Sequence, residues 1–100
     1  MWCHMSGSIR VQSAINHLHT RKGHLRCEEV KRLLESLGFE VKDGKKGGHK
    51  VYMHDGISEF YSSSFNCGHG KNPEIKVAYI RNIIGVIEEL KTSIAAFLDD

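Results

Sequence analysis

The chain has 100 residues, 40% of them hydrophobic and only one of them proline, which fits a single compact globule and excludes a disordered or collagen-like chain. The net charge is +2, but residues 21–50 carry nine Lys/Arg against five Asp/Glu (+4) and residues 51–100 carry four against seven (−3), which favours a local basic patch. The three cysteines are irregularly spaced, which argues against a secreted disulfide framework and for a reducing cytoplasm. No apolar run reaches the roughly 20 residues of a membrane span, so no membrane association is predicted.

Two helices are predicted in the first part of the chain. Residues 1–8 are expected to be a disordered leader or tag remnant, which leaves 9–98 as a single domain. Apolar residues at helical spacing predict a short helix over 10–19. A second helix is predicted over 26–37 from an apolar stripe at i, i+3, i+4 and i+7, formed by Val30, Leu33, Leu34 and Leu37. Gly38 is expected to end this helix.

Three short strands are predicted next, because the hydrophobic pattern changes from helical to alternating. The first strand lies around 39–42, and a turn rich in glycine and lysine, 44–48, leads into a second strand over 49–54. Asp55-Gly56 is a hairpin signal, so the third strand is expected over 57–62. Strands joined by such short turns should form an antiparallel meander.

A final helix is predicted after a polar loop over 63–72. Asn72 is its expected cap, and Pro73 suits its first turn. An apolar stripe extends it to about Lys91, with Ile80, Ile83, Ile84, Ile87 and Leu90 on its buried side. With the first helix as an extension, the element order predicts an α+β fold, a two-layer sandwich with an αβββα core.

Two histidines are candidates for chemistry because glycines surround them. His49 follows Gly47-Gly48 at the head of the second strand, and His69 lies between Gly68 and Gly70. Glycine allows a phosphate to approach the backbone closely, and histidine transfers protons near neutral pH. Positive charge nearby comes from Lys45, Lys46, Lys50 and Lys71.

The same residues also allow purely structural interpretations. By parity His49 shares a strand face with Val51 and Met53, where a histidine is more often a core or sheet-end residue than a catalyst. His54 is interpreted as a surface residue. Cys67 and His69 form the one tight pair of potential zinc ligands, and without a second such pair no structural zinc is expected.

The ordered set of motifs resembles the HicA family of toxin ribonucleases, also called YcfA-like. That family combines an amphipathic helix ending in Leu-Gly, a histidine after small residues at the head of a strand, a histidine-rich loop and a last helix. The corresponding segments here are Val30–Phe39, Gly47–Val51, His69–Lys71 and Glu74–Ile84. Gly48 stands where Ser or Thr is common in the family. The resemblance covers about residues 10–91.

This resemblance implies a double-stranded-RNA-binding-like fold and a cytoplasmic mRNA endonuclease neutralised by a HicB-type antitoxin. The family's catalytic histidine maps onto His49, which would be the general base on the 2′-hydroxyl, and His69 is the candidate acid for the leaving 5′-oxygen. The expected RNA-binding residues are Lys45, Lys46, Gly47, Gly48, Lys50 and Lys71. No metal or cofactor is expected, because the 2′-hydroxyl is its own nucleophile. The alternative is a non-catalytic RNA-binding module of the same fold.

Overall fold

The computed structural model of the protein describes residues 6–68 and 70–100. Its elements are α1 (Gly7–Thr20), α2 (Cys27–Ser36), β1 (Glu40–Asp43), β2 (His49–Met53), β3 (Ser63–Asn66), α3 (Val77–Glu89) and α4 (Lys91–Asp99). The predicted α+β architecture, an αβββα core preceded by an extra helix, is confirmed. The predicted last helix corresponds to α3, which ends at Glu89, close to the expected end at about Lys91, and the separate helix α4 follows after Leu90.

The three strands form an antiparallel sheet in the order β1-β2-β3, which confirms the meander. One face is buried through Tyr52 and Phe65, and helices α2 and α3 pack on that side. The opposite side, called the open face below, carries residues that alternate with the buried ones along each strand: Glu40, Lys42, His49, Val51, Met53, Ser64 and Asn66. The open face is therefore the part of the sheet that is available to a ligand.

Helices α1 and α4 pack against each other beside the core. The Ser6 hydroxyl caps α1 by accepting from the Ile9 N–H, and the Gly7 N–H donates to Asp99 Oδ1 at 2.6 Å. Gly7 and Ser8, which the sequence assigns to the leader, thus lie in α1. A Cβ at Gly7 would overlap the backbone of Ala95, so the absent side chain is what allows the two helices to meet.

The predicted third strand over 57–62 is wrong, because β3 occupies Ser63–Asn66 instead. Asp55-Gly56 does form a turn, but a second turn follows it: Ile57 N–H donates to the His54 carbonyl, and Phe60 N–H donates to the Ile57 carbonyl. These turns bury the Ile57 side chain without extending the chain, and strand pairing begins only after them.

The predicted start of the last helix at Pro73 is also wrong. Residues 73–76 run alongside the segment before α2, since Ile75 N–H donates to the Leu25 carbonyl at 2.9 Å and Cys27 N–H to the Pro73 carbonyl at 3.0 Å. The Asn72 side chain caps α2 and not α3: its Oδ1 accepts from the Glu28 N–H at 2.9 Å. Helix α3 then begins at Val77.

A disulfide joins Cys27 at the start of α2 to Cys67 directly after β3. The odd cysteine count and irregular spacing do not predict this pair, because 40 positions separate the two residues in sequence. The bond attaches the loop after β3 to the same end of α2 that Asn72 caps.

The prediction of a surface position for His54 is wrong, because its side chain is only 3% exposed. Its Nδ1 accepts from the Gly56 N–H at 3.1 Å, which places the ring proton on Nε2, where it is donated to the Leu37 carbonyl at 3.0 Å. The ring also packs edge-on against Phe39 and Phe97. His54 is therefore a hydrogen-bonded core residue.

In the described part of the chain, the helices are too short and too polar to span a membrane.

Candidate functional site on the open sheet face

His49 begins β2 on the open face, directly opposite Asn66 on β3. It is half-buried and lines a concavity of about 470 Å³, called the open-face concavity here, whose lining residues are Gly44, Lys45, Lys46, His49, Val51 and Asn66. The imidazole lies against Gly44, where a Cβ would overlap the ring. His49 therefore shares a face with Val51, as predicted, but that face is turned to solvent and not to the core.

The turn before His49 is held by backbone hydrogen bonds at both ends. Gly44 N–H donates to the His49 carbonyl at 2.7 Å, and His49 N–H donates to the Lys46 carbonyl at 3.1 Å. The Gly48 carbonyl accepts from the Cys67 N–H at 2.7 Å, which fixes the turn to the segment after β3. These three backbone hydrogen bonds fix the position of His49 at the start of β2.

The predicted lysines divide between the two sides of the sheet. Lys45 and Lys46 are exposed and line the open-face concavity with His49. Lys50 faces the other side, where it forms an ion pair with Asp43 across the β1–β2 ladder. The hydrogen bond and charge of Lys50, helped by the charge of Lys31, hold the pKa of the Asp43 carboxyl below its usual value. Lys50 is therefore placed away from His49 and engaged by a carboxylate.

A second cleft of about 300 Å³ lies on that other side, at the end of α2. It is lined by Cys27, Glu28, Lys31, Asp43, Gly48, Lys50, Cys67, Gly68, Gly70, Asn72 and Pro73. Two carboxylates face its two ammonium groups, so its local charge is nearly balanced. This balance makes it a weaker site for a polyanion than the open-face concavity, whose charged side chains are both lysines.

The predicted acid His69 lies outside the described residues. Its neighbours Gly68 and Gly70 both have positive φ angles, of 77° and 98°, so the loop uses backbone conformations that favour glycine. Lys71, also predicted to bind RNA, is exposed in the same loop.

Two residues of the open face were missed by sequence reasoning. Asn66 lines the open-face concavity, and Lys42 is exposed on β1 opposite Val51. Both lie in segments whose register could not be read from the sequence, since Asn66 was assigned to a polar loop. The signal that could have found it is the alternation Ser64-Phe65-Asn66, in which a single apolar residue is flanked by polar ones.

Metal-ligating side chains do not gather in the described part of the chain, which holds no group of three or more His, Cys, Asp or Glu suited to an ion. Cys67, one of the two residues considered for zinc, is bound to Cys27.

Helices on one side of a three-stranded antiparallel sheet, with a histidine and lysines on the other, define a small αβββα domain with a basic open face. A family model described as "HicA toxin of bacterial toxin-antitoxin" matches residues 27–91, more than half of the chain. The chain belongs to the HicA toxin family, which confirms the resemblance; it is a toxin of a toxin–antitoxin system, and its partner is an antitoxin. No curated protein and no solved structure matches it.

Proposed function

We propose that this toxin is a metal-independent endoribonuclease that cleaves mRNA in the cytoplasm and is neutralised by a HicB-like antitoxin. The observation that carries the proposal is the position of His49 in the open-face concavity beside Lys45 and Lys46. An imidazole is suited to proton transfer at neutral pH, and two lysines without a nearby carboxylate in the lining attract a phosphodiester. The buried face of the sheet offers no comparable combination among the described residues.

The reaction begins when the His49 imidazole takes the proton of an RNA 2′-hydroxyl. The 2′-oxygen attacks the adjacent phosphorus, and the bond from phosphorus to the 5′-oxygen breaks. The leaving oxygen receives a proton from His69 as the acid, and the products are a 2′,3′-cyclic phosphate and a free 5′-hydroxyl. Lys45 and Lys46 offset the charge that develops on the phosphate oxygens, with Lys71 as a further cation from the loop after β3.

The backbone of the turn contributes to the same site. Gly47 is exposed, and no atom of the described chain lies near the position of a Cβ there, so RNA could approach its backbone closely. Gly48 ties the turn to the loop after β3. Lys50 enters the proposal only as a source of long-range charge, because Asp43 binds its ammonium group.

The HicB-like antitoxin is proposed to act by covering the open face. The residues that would contact RNA are the exposed ones of the open-face concavity, so a protein seated there excludes RNA directly. This neutralisation requires no conformational change in the toxin.

The test is cleavage of RNA by the wild-type protein and by His49→Ala, with EDTA present. Wild type should cleave and leave cyclic phosphate ends, and His49→Ala should be slower by about 10²- to 10⁴-fold, the usual contribution of a general base. His24→Ala is the matched control, because His24 has a side chain 79% exposed in the turn region after α1, and it should cleave like wild type.

Each other outcome has a definite meaning. Cleavage by His49→Ala at the wild-type rate would remove His49 from the mechanism, and loss of wild-type activity in EDTA would contradict metal independence. RNA binding without cleavage by either protein would favour the non-catalytic RNA-binding module, with His49 as a structural residue of the strand end.

A further inference from the structure

Asn66 ends β3 directly opposite His49 and lines the same concavity. Its side chain is exposed on the open face, while the preceding Phe65 is buried in the core. It is thus the polar side chain that the strand register places directly opposite His49.

The two ends of the Asn66 amide have different surroundings. Oδ1 accepts a hydrogen bond from the Gly68 N–H at 3.2 Å, which orients the amide. Nδ2 carries two N–H donors, and among the described residues it has no hydrogen-bond acceptor. The amide is therefore held by its oxygen and presents its donors at the site.

The neighbouring cations decide which acceptor these donors would meet. Lys45 and Lys46 line the same concavity and draw in the phosphodiester backbone of an RNA, not a particular base. Lysines on a turn act as mobile point charges, whereas an amide fixed by Gly68 is directional. A directional donor beside His49, the proposed general base, can hold a phosphate in position for in-line attack by the 2′-oxygen.

We propose that Asn66 is a substrate-binding residue, whose Nδ2 donates to a non-bridging phosphate oxygen of the RNA held at His49. This inference rests on the proposed function and adds to it a named residue and a named contact. The hydrogen bond that Oδ1 accepts from Gly68 and the proposed donation from Nδ2 to RNA can be tested separately by substitution. Asn66→Asp keeps an oxygen acceptor for Gly68 and replaces the donors with a second oxygen.

The experiment measures dissociation constants for single-stranded RNA with 2′-methoxy groups, which binds but cannot cyclise. Asn66→Asp should weaken binding by at least about tenfold, because the hydrogen bond to a charged group is lost and the new carboxylate repels the phosphate. The matched control is Asn16→Asp on α1, where Oδ1 also accepts a hydrogen bond, from Gln12, and the net charge changes equally. This control should change binding less than about twofold, because surface charges far from the RNA are screened.

Equal binding by Asn66→Asp and Asn16→Asp would overturn the inference and leave the proposed function intact. Absence of binding by wild type would overturn both. A loss of affinity confined to one of two homopolymers, oligo(U) or oligo(A), would assign the amide to a base edge and contradict the phosphate contact. Asn66→Ala, which removes the donors without adding a charge, must also weaken binding by about tenfold, so neither repulsion by the Asp carboxylate nor misfolding of the Asp variant decides the outcome.

Discussion

Gly48 connects the turn that carries His49 to the segment after β3. Its φ is +83°, and a Cβ there would overlap the Gly68 carbonyl oxygen. The positive φ and the close contact with Gly68 leave room only for glycine at this position. The identity of the residue thus follows from the backbone geometry of the site.

Gly48→Ala is expected to lower the free energy of unfolding by at least about 1–2 kcal/mol, the cost of a left-handed conformation for a residue with a Cβ. The control is Gly47→Ala, because no atom of residues 6–68 or 70–100 lies within 4 Å of a Cβ at Gly47. That substitution should be neutral or stabilising by up to about 1 kcal/mol. Urea unfolding of the two variants checks this, and equal losses would contradict the geometry described for Gly48.

Tyr52 lies on the buried face of β2, packed against Phe39, Phe60 and Phe65. Its hydroxyl is buried and has no hydrogen-bond partner in the part of the chain that the structure describes, although Ser63 lies opposite it in the ladder. Burial raises the pKa of the Tyr52 hydroxyl, and Ser63 offsets part of that rise. The folded state therefore favours the neutral phenol more strongly than the unfolded state does.

The stability that this preference contributes is complete below the unfolded pKa of about 10 and is lost as the pH rises above it. We expect the unfolding free energy of wild type to fall above about pH 10 and that of Tyr52→Phe to fall less steeply. Tyr61→Phe is the control, since Tyr61 is 94% exposed, and it should follow wild type. Parallel curves for wild type and Tyr52→Phe in urea titrations would contradict the role of burial.

At the scale of elements, the sequence predicts best where one periodicity is strong. The apolar stripe and Gly38 place α2 within a residue of each observed end, and the alternating residues place the start of β2 correctly and its end within one residue. It fails at β3, because Phe65 is the one apolar residue in Ser63–Asn66 and no apolar alternation marks the strand. It fails at the start of α3 because Asn72 and Pro73 pair with residues near α2, which are far away in sequence.

The candidate site shows the same contrast between features that depend on neighbouring residues and features that depend on contacts distant in sequence. The pairing of His49 with Lys45 and Lys46 is local and was predicted from adjacent residues. The opposite orientation of Lys50 follows from strand alternation, but which side of β2 is buried depends on the helices. The alternation around Phe65 indicates a strand at Asn66, but the pairing of Asn66 with His49 depends on register. The disulfide depends on contacts between segments 40 positions apart, which local patterns do not show.

The disulfide ties α2 to the loop after β3, and the chain between its cysteines includes the whole sheet. In the chain-entropy account, a crosslink closing a loop of this length stabilises a fold by about 3–4 kcal/mol. Cys27→Ala/Cys67→Ala is therefore expected to lose about 2–4 kcal/mol of unfolding free energy in protein purified without reductant.

Dithiothreitol provides the control for that prediction. It should lower the stability of wild type toward that of the double variant and leave the double variant unchanged. Titration of thiols in unfolded wild type, before and after reduction, should show two additional thiols after reduction, those of Cys27 and Cys67. Equal stability of oxidised and reduced wild type would contradict a stabilising crosslink.

At the scale of the whole molecule, helices α1 and α4 enlarge the core without covering the open face. The family match begins at α2 and ends at the first residue of α4, so α1 and most of α4 lie outside it. They bury Val11, Leu18 and Ile94 completely. Arg10 also donates to the Ser36 carbonyl at the end of α2. The additional helices therefore stabilise the domain by enlarging its core. The surface proposed for RNA and antitoxin is formed by residues 27–91, which match the family.

The distribution of charge around this core provides the last prediction. The net charge is only +2, so any affinity for RNA must come from where the cations lie. Two positive charges of the open-face concavity are removed in the double variant Lys45→Gln/Lys46→Gln. The matched control is Arg32→Gln/Arg81→Gln, which removes two positive charges from exposed positions on α2 and α3. Each double variant has a net charge of 2 − 2 = 0. With 2′-methoxy RNA at several salt concentrations, the lysine variant should lower the slope of log affinity against log salt by about 1 to 1.5, because each phosphate contact with a single strand contributes about 0.7. The arginine variant should retain the wild-type slope. If both variants change the slope equally, net charge and not the open face governs binding, and the location proposed for the RNA is wrong.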